Sequence, residues 1–239
     1  MKIFRPISFL FLALFAVCGS ARDFNDKLMN RPYADSRRFH LGFSVGTFVS
    51  GMNLIHNGLV SETDGSQWRV EQPGYQPGFC VNGLADFRLS TYFSLRVSPG
   101  MYFGTRDLRF LDLTTGDTER QGVKSTFIVL PVDLKAAAMR YRNVRPYVVG
   151  GVMPAFDVSK RGRDLIALKN SDIYINLGFG CDFYLPYFKF IPELKFCLGL
   201  TDVLKHDRPD LADDPASQRF TASLKRVTSK MVVLTFYFE

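Results

Sequence analysis

Apolar and polar residues alternate one by one along much of this chain of 239 residues. The clearest run lies in CDFYLPYFKFIPELKFCLGL (181–200). Phe188, Phe190, Pro192, Leu194, Phe196, Leu198 and Leu200 share one parity; Lys189, Ile191, Glu193, Lys195, Cys197, Gly199 and Thr201 share the other. A period of two puts the first set on one face of a β-strand and the charges on the opposite face, whereas a helix would scatter the charges around its circumference. The run is about twice the usual strand length of ~5–6 residues, so its environment must want a long strand with one continuous apolar face.

Seven further segments read the same way. FHLGFSVGTFV (39–49) sets Leu41, Phe43, Val45 and Val49 against His40, Gly42, Ser44 and Gly46. GFCVNGLADFRLS (78–90) is irregular, but Asp86 and Arg88 share a face opposite Phe87 and Leu89. YFSLRVSPGMYFG (92–104) and SDIYINLGFGCDFYL (171–185) alternate too, and KSTFIVLPVDLKAAAM (124–139) sets Ile128, Leu130, Val132, Leu134 and Ala136 against Val129, Pro131, Asp133 and Lys135; RPYVVGGVMPAFDV (145–158) is less clear, and RFTASLKRVTSKMVVLTFYF (219–238) is the eighth strand. The connections alternate long and short. About 25 residues follow the first strand (SGMNLIHNGLVSETDGSQWRVEQPGY), LSTY, RYRNVRP and LPYF are tight, and the loops around LDLTTGDTERQG, SKRGRDLIALKN and LKHDRPDLADDPAS are longer.

Long outer loops, short periplasmic turns and an even strand count predict an all-β fold: an eight-stranded antiparallel up-and-down transmembrane β-barrel. A tilted strand needs roughly 9–11 residues to cross the hydrocarbon, a length these segments reach. The Phe/Leu faces then look at lipid. Phe39, Tyr92, Phe93, Tyr141, Tyr147, Tyr184, Tyr187, Phe188, Tyr237 and Phe238 fall near strand ends on the short-turn side, as in an aromatic girdle. The opposite faces carry Asp86, Arg88, Arg96, Asp133, Lys135, Asp182, Lys189, Glu193 and Lys195, an expected ion-pair network inside a lumen just wide enough for its own side chains. Tyr102, Tyr174 and Tyr184 are expected to fill that lumen too and leave no aqueous pore. The soluble alternative is a lipocalin-like barrel, which would turn the apolar face inward.

Residues 1–21 stand apart. Lys2 and Arg5 precede the apolar run ISFLFLALFAV and the small residues CGSA, which predicts a secretory signal peptide cut after Ala21. A lipoprotein reading would use Cys18, but Val17 stands where a small residue is wanted. The expected organisation is a signal peptide (1–21), a periplasmic segment (22–38) and a barrel (39–239). Lys2 and Arg5 account for two of the 30 Lys and Arg, so 28 remain against 23 Asp and Glu, a mild excess without a basic block; nothing points to nucleic acid. Beyond Cys18 there are Cys80, Cys181 and Cys197, an odd set with no CxxC or Cys/His spacing, which speaks against a disulfide framework or a zinc site.

Candidate chemistry is sparse. A barrel hydrolase would need a His with a Ser or carboxylate partner near the outer rim. His56 lies in the first outer loop and His206 in the last, next to Asp207 and Asp210. DLADD (210–214) lacks the spacing of a calcium loop. GGVMP (150–154) opens no helix and is no phosphate loop. No catalytic residue, cofactor, metal or small-molecule substrate is expected. The basic third outer loop, with Lys160, Arg161, Arg163 and Lys169, is the candidate surface for an acidic partner.

Three blocks, LADFRLSTYFSLRVSPGMYFG, STFIVLPVDLKAAAMRYRNVRPYVVGGV and above all DIYINLGFGCDFYLPYFKFIPELKFCLGL, together with NRPYADSRRFHLGFSVG, resemble the PorT family of Bacteroidetes outer-membrane barrels over roughly residues 30–239. DFYLPYFKFIPELKF is the most specific part, and Cys181 and Cys197 within it depart from the pattern. The resemblance implies a non-enzymatic accessory of type IX secretion, embedded in outer-membrane lipid and partnered by other subunits of that system. The other reading is a generic small outer-membrane barrel with an envelope or small-solute role.

Overall fold

A computed structural model of the protein describes residues 29–56, 68–71, 74–112, 118–159, 170–203 and 224–239. Its strands are β1 (Phe39–His56), β2 (Trp68–Glu71), β3 (Gln76–Arg88), β4 (Phe93–Val97), β5 (Gly100–Asp112), β6 (Thr118–Val129), β7 (Val132–Ala137), β8 (Val144–Asp157), β9 (Ser171–Tyr184), β10 (Lys189–Gly199) and β11 (Leu224–Phe238). Every pairing among them is antiparallel. Two of the barrel's eight walls are broken in the middle. β4 and β5 are one wall interrupted at Ser98–Pro99, and β6 and β7 are one wall interrupted at Leu130–Pro131. Pro99 and Pro131 have no N–H to give the ladder and stand where each wall changes partner; Pro146, Pro154 and Pro192 are carried inside unbroken strands. β3 accordingly pairs with both β4 and β5, and β8 with both β7 and β6.

The ring closes between β1 and β11, in register from Phe43↔Phe238 to Ile55↔Arg226. Closure leaves the eight walls without a free edge, which is the condition for sheet to cross a bilayer. The turns at 89–92, 138–143 and 185–188 are short and share one end with residues 29–38 and Glu239; by the usual asymmetry this is the periplasmic end. One of them is a two-residue hairpin in which Tyr141 and Val144 exchange backbone hydrogen bonds and Arg142 takes φ 55°.

The stretch after Val49 is not the loop that the sequence suggests. β1 continues to His56, and β2 pairs with the far end of β5, Trp68↔Asp112. Small and apolar residues in SGMNLIH hide the alternation there.

Apolar side chains face out. Leu41, Phe43, Ile173, Ile175, Phe196 and Leu198 are all exposed, and Leu177 reaches 67%. The alternate positions face in and are buried, which excludes the inward-apolar lipocalin arrangement. The lumen is filled in two layers. Its outer half holds an apolar cluster that includes Phe48, Cys80, Tyr102, Phe127, Val129, Met153, Tyr174, Cys197 and Met231. The periplasmic half holds most of the buried charges, beside a second apolar cluster of Leu84, Ala137, Tyr147, Val149, Ile191 and Tyr237; Asp157 and Asp172 are buried at the outer ends of β8 and β9. Inward glycines make room for the large rings: a Cβ on Gly78 would strike the Phe48 ring, and one on Gly180 the Tyr147 hydroxyl. Cys80, Cys181 and Cys197 are not joined in disulfides.

Candidate functional site

Five charged side chains form one linked chain across the periplasmic half of the lumen. Register brings them together. Arg96 on β4 lies opposite Asp86 on β3 and Asp133 on β7. Its Nε and Nη2 donate to Asp86 Oδ2 at 3.3 and 3.2 Å, and Nη1 donates to Glu193 Oε2 at 2.8 Å. Lys195 Nζ continues the chain, 3.2 Å from Glu193 Oε1 and 2.6 Å from Asp133 Oδ2. Glu193 also accepts from the Tyr147 hydroxyl at 2.7 Å and the Tyr237 hydroxyl at 3.1 Å, and Asp133 accepts from Asn176 Nδ2 at 3.1 Å. Arg96 is 0% exposed and Glu193 1%. The guanidinium lies over the rings of Tyr147 and Tyr237, 5.3 and 4.9 Å from their centroids. A second pair lies beside the chain: Lys135 Nζ donates to both oxygens of Asp182 at 2.8 Å and sits 4.0 Å from the Tyr147 ring centre.

Two of the sequence-nominated charges stand elsewhere. Arg88 is only half-buried, and its guanidinium donates to the backbone carbonyls of Asp35 and Ser90 at the mouth. Lys189 does not reach Glu193. Four residues along a strand is about 13 Å, and Lys189 Nζ instead meets Glu239 Oε1 at 2.7 Å across the β10–β11 pair. The girdle is also smaller than expected. Phe39, Tyr92, Phe93, Tyr141, Tyr187 and Phe188 are exposed, but Tyr147, Tyr184 and Tyr237 point into the lumen and are buried. Lys160, Arg161, Arg163 and Lys169 lie outside the described residues, as do His206, Asp207, Asp210 and the acidic stretch 210–214.

A feature that strand-by-strand alternation could not reveal closes the periplasmic mouth. Residues 30–37 form a strap with one turn of 3-10 helix, Ala34–Ser36, and Ala34 is buried. The Asp35 carboxylate accepts from the Tyr184 hydroxyl and is paired with Arg140 Nη1 at 3.4 Å and Arg145 Nη1 at 3.3 Å. Partial burial pushes the Asp35 carboxyl up. The Tyr184 hydrogen bond and the charges of Arg145, Lys189 and Arg140 outweigh that and hold it below its ordinary value. Asn30 donates through its backbone N–H to Asn143 Oδ1 at 2.9 Å, and Arg31 Nη1 donates to the Glu239 carbonyl at 3.1 Å. Glu239 ties the ring beneath the strap, with His40 Nδ1 at 2.7 Å from the same oxygen that meets Lys189. Burial raises its carboxyl, and the hydrogen bonds from His40 and Lys189 with their charges bring it well below the usual range.

Residues 30–205 match the family described as outer membrane protein beta-barrel domain. Among solved structures, the N-terminal beta-barrel domain of Pseudomonas aeruginosa OprF is similar at 13% identity, with 81% of this chain and 96% of that chain covered and a TM-score of 0.36. Pseudomonas aeruginosa OprG is similar at 11% identity, 84% and 91% coverage and a TM-score of 0.41. Ail of Yersinia pestis, solved with the heparin analogue sucrose octasulfate, stands at 12% identity, 84% and 99% coverage and a TM-score of 0.37. No curated protein matches the chain. With a family match over most of its length and a closed ring whose apolar face meets lipid, the chain belongs to the outer membrane protein beta-barrel domain family and resides in the cell outer membrane.

Proposed function

We propose that this barrel is a non-enzymatic accessory of type IX secretion, acting through its rims on other subunits of that system and conducting nothing itself. The observation that carries the reading is the doubly filled lumen. An apolar plug around Phe48, Tyr102 and Met153 lies on the outer side, and the Asp86–Arg96–Glu193–Lys195–Asp133 chain lies on the periplasmic side. A small barrel packed with its own side chains has no room for a polypeptide. A secretion role must then come from surfaces, and loops on a rigid scaffold are where such surfaces sit. The resemblance of DFYLPYFKFIPELKF to the PorT family supports the choice of system. The basic third loop, Lys160, Arg161, Arg163 and Lys169, is the proposed outer contact for an acidic partner.

The test is a deletion strain assayed for release of proteins that carry the system's C-terminal signal. Loss of their release, restored by the wild-type chain, is expected; normal release removes the secretion role and leaves the generic barrel. Charge reversal in the third loop is expected to lower release while the barrel still assembles. In planar bilayers the purified protein is expected to show no large stable conductance, and a porin-sized channel would overturn the accessory reading.

A further inference from the structure

The strap at the periplasmic mouth leaves an unusual balance of charge. Asp35 pairs with two cations, Arg140 and Arg145, and Arg88 grips its backbone; Lys189, whose charge Asp35 also feels, is already paired with Glu239. The groups that hold this carboxylate are themselves held by the barrel. Arg140 Nε donates to the Arg142 carbonyl at 2.7 Å, and its guanidinium lies 3.6 Å from the centre of the Tyr184 ring. Arg145 Nε donates to the Ala138 carbonyl at 2.8 Å, and its Nη2 to the Thr91 carbonyl. Tyr184 is fixed at the end of β9, where its backbone N–H donates to the Asn143 carbonyl at 2.9 Å. None of these anchors belongs to the strap. The receptor for a carboxylate is therefore set in place before anything fills it, which is the arrangement that makes binding strong.

The same mouth also reads peptide backbone. Arg140 donates to the carbonyls of Asn30 and Arg31, Arg88 to that of Asp35, and the Asn143 side chain accepts the Asn30 N–H. A lipid phosphate or a free anion would use the charges and leave these contacts unmet. Below the strap a cavity of about 40 Å³, bordered by His40, Asp86 and Lys189 among others, adjoins the receptor.

We propose that the periplasmic mouth is a docking site for a polypeptide segment that presents one Asp or Glu on a short turn, and that Asp35 of the strap occupies it as a built-in competitor. A partner that presents an Asp or Glu on a short turn displaces the strap and takes the same donors: Tyr184, Arg140 and Arg145. The site is a property of the barrel alone and stands whether or not the chain serves secretion.

The test uses the full-length protein in detergent micelles and a fluorescent peptide, MNRPYADSRR, identical to residues 29–38. In the wild type the site is filled from within, so the peptide binds weakly. Asp35→Lys repels the strap from Arg140 and Arg145, and peptide affinity is expected to rise about tenfold or more, the scale of a charge-assisted hydrogen bond regained. A peptide with Asn in place of its Asp is expected to lose that gain, as is the double variant Asp35→Lys/Arg145→Ala. A heat-dependent shift in electrophoretic mobility verifies that each variant remains a closed barrel, and Asp35→Asn carries the test if Asp35→Lys does not assemble. Equal binding of the Asp and Asn peptides, or no gain in a closed barrel whose strap is displaced, would overturn the proposal and leave Asp35 as an internal clasp.

Discussion

Replacing Arg96 by Met is the sharpest test of how the lumen is held together. The linked chain contains three acids, Asp86, Glu193 and Asp133, and two bases, Arg96 and Lys195. Removing Arg96 leaves three carboxylates facing one lysine in a compartment where Glu193 is 1% exposed. Asp86 loses both of its guanidinium hydrogen bonds, and Glu193 keeps only Lys195 and the two tyrosine hydroxyls. Breaking a buried pair in this way costs about 3–5 kcal/mol. Loss of the cation over the Tyr147 and Tyr237 rings adds about 0.5–2 kcal/mol. The expected destabilisation is therefore about 3.5–7 kcal/mol. Glu193→Gln should cost less, because it leaves two acids with two bases and keeps one acceptor oxygen, enough for one of the two tyrosine hydroxyls that donate to Oε2 (Tyr147) and Oε1 (Tyr237). The assay is equilibrium unfolding in urea in lipid vesicles, with the folded fraction read from the heat-modifiable band. A double-mutant cycle between the two should show coupling of about 0.5–3 kcal/mol. The reasoning fails if Arg96→Met costs less than about 1 kcal/mol, or if Glu193→Gln proves the worse of the two.

Three further outcomes are expected. Leu177→Arg places a charge on the lipid face in the middle of β9 and should cost about 2–4 kcal/mol in the same vesicle assay, whereas a neutral result would mean the faces are reversed. Gly180→Ala pushes a methyl into the Tyr147 hydroxyl and the Pro192 carbonyl, and should cost about 1–3 kcal/mol by lifting Tyr147 from Glu193. The Asp35 carboxyl is held below its ordinary value, so its contribution to strap docking is complete above that value and is lost as pH falls through the lowered one. Amide exchange at Ala34 and Ser36, corrected for intrinsic rates, should therefore stay slow through neutral and mildly acidic pH and quicken only in strong acid, while Asp35→Asn abolishes that dependence.

Alternation carried most of the fold. In β9 and β10 the inward set is polar and the outward set apolar, so parity names the face. In β8 it does not: Tyr147, Val149 and Met153 point in while Val148, Val152 and Phe156 point out, and both faces read as apolar. That is why Tyr147 looked like a girdle residue. Height along the barrel draws Tyr237 to the girdle, and height does not distinguish inside from outside; for Tyr184 height says girdle and parity says lumen, and the structure follows parity. The identity of the charged residues could be read from the chain, but their partners could not. Lys195 finds Asp133 62 positions away, and Lys189 finds Glu239 at 50, through register that no local pattern encodes. The strap escaped because its signal, a single Asp among arginines in NRPYADSRR, looks like any solvated stretch until the mouth that receives it is built.

Pro99 and Pro131 lie on neighbouring walls, and the Ser98 N–H donates to the Pro131 carbonyl at 3.0 Å with no N–H on Pro131 to return the bond. The gap falls between Arg96 and Tyr102 on one wall and between Asp133 and Val129 on the other, at the height where the filling changes from charged to apolar. The ladder is thinned there on two adjacent walls only, and bonds from Gly83 to Pro99 and from Leu130 to Pro154 still cross the stretch. Because local stability follows the density of ladder bonds, amide protons beside this seam should exchange sooner than those at the same height on the opposite, unbroken walls.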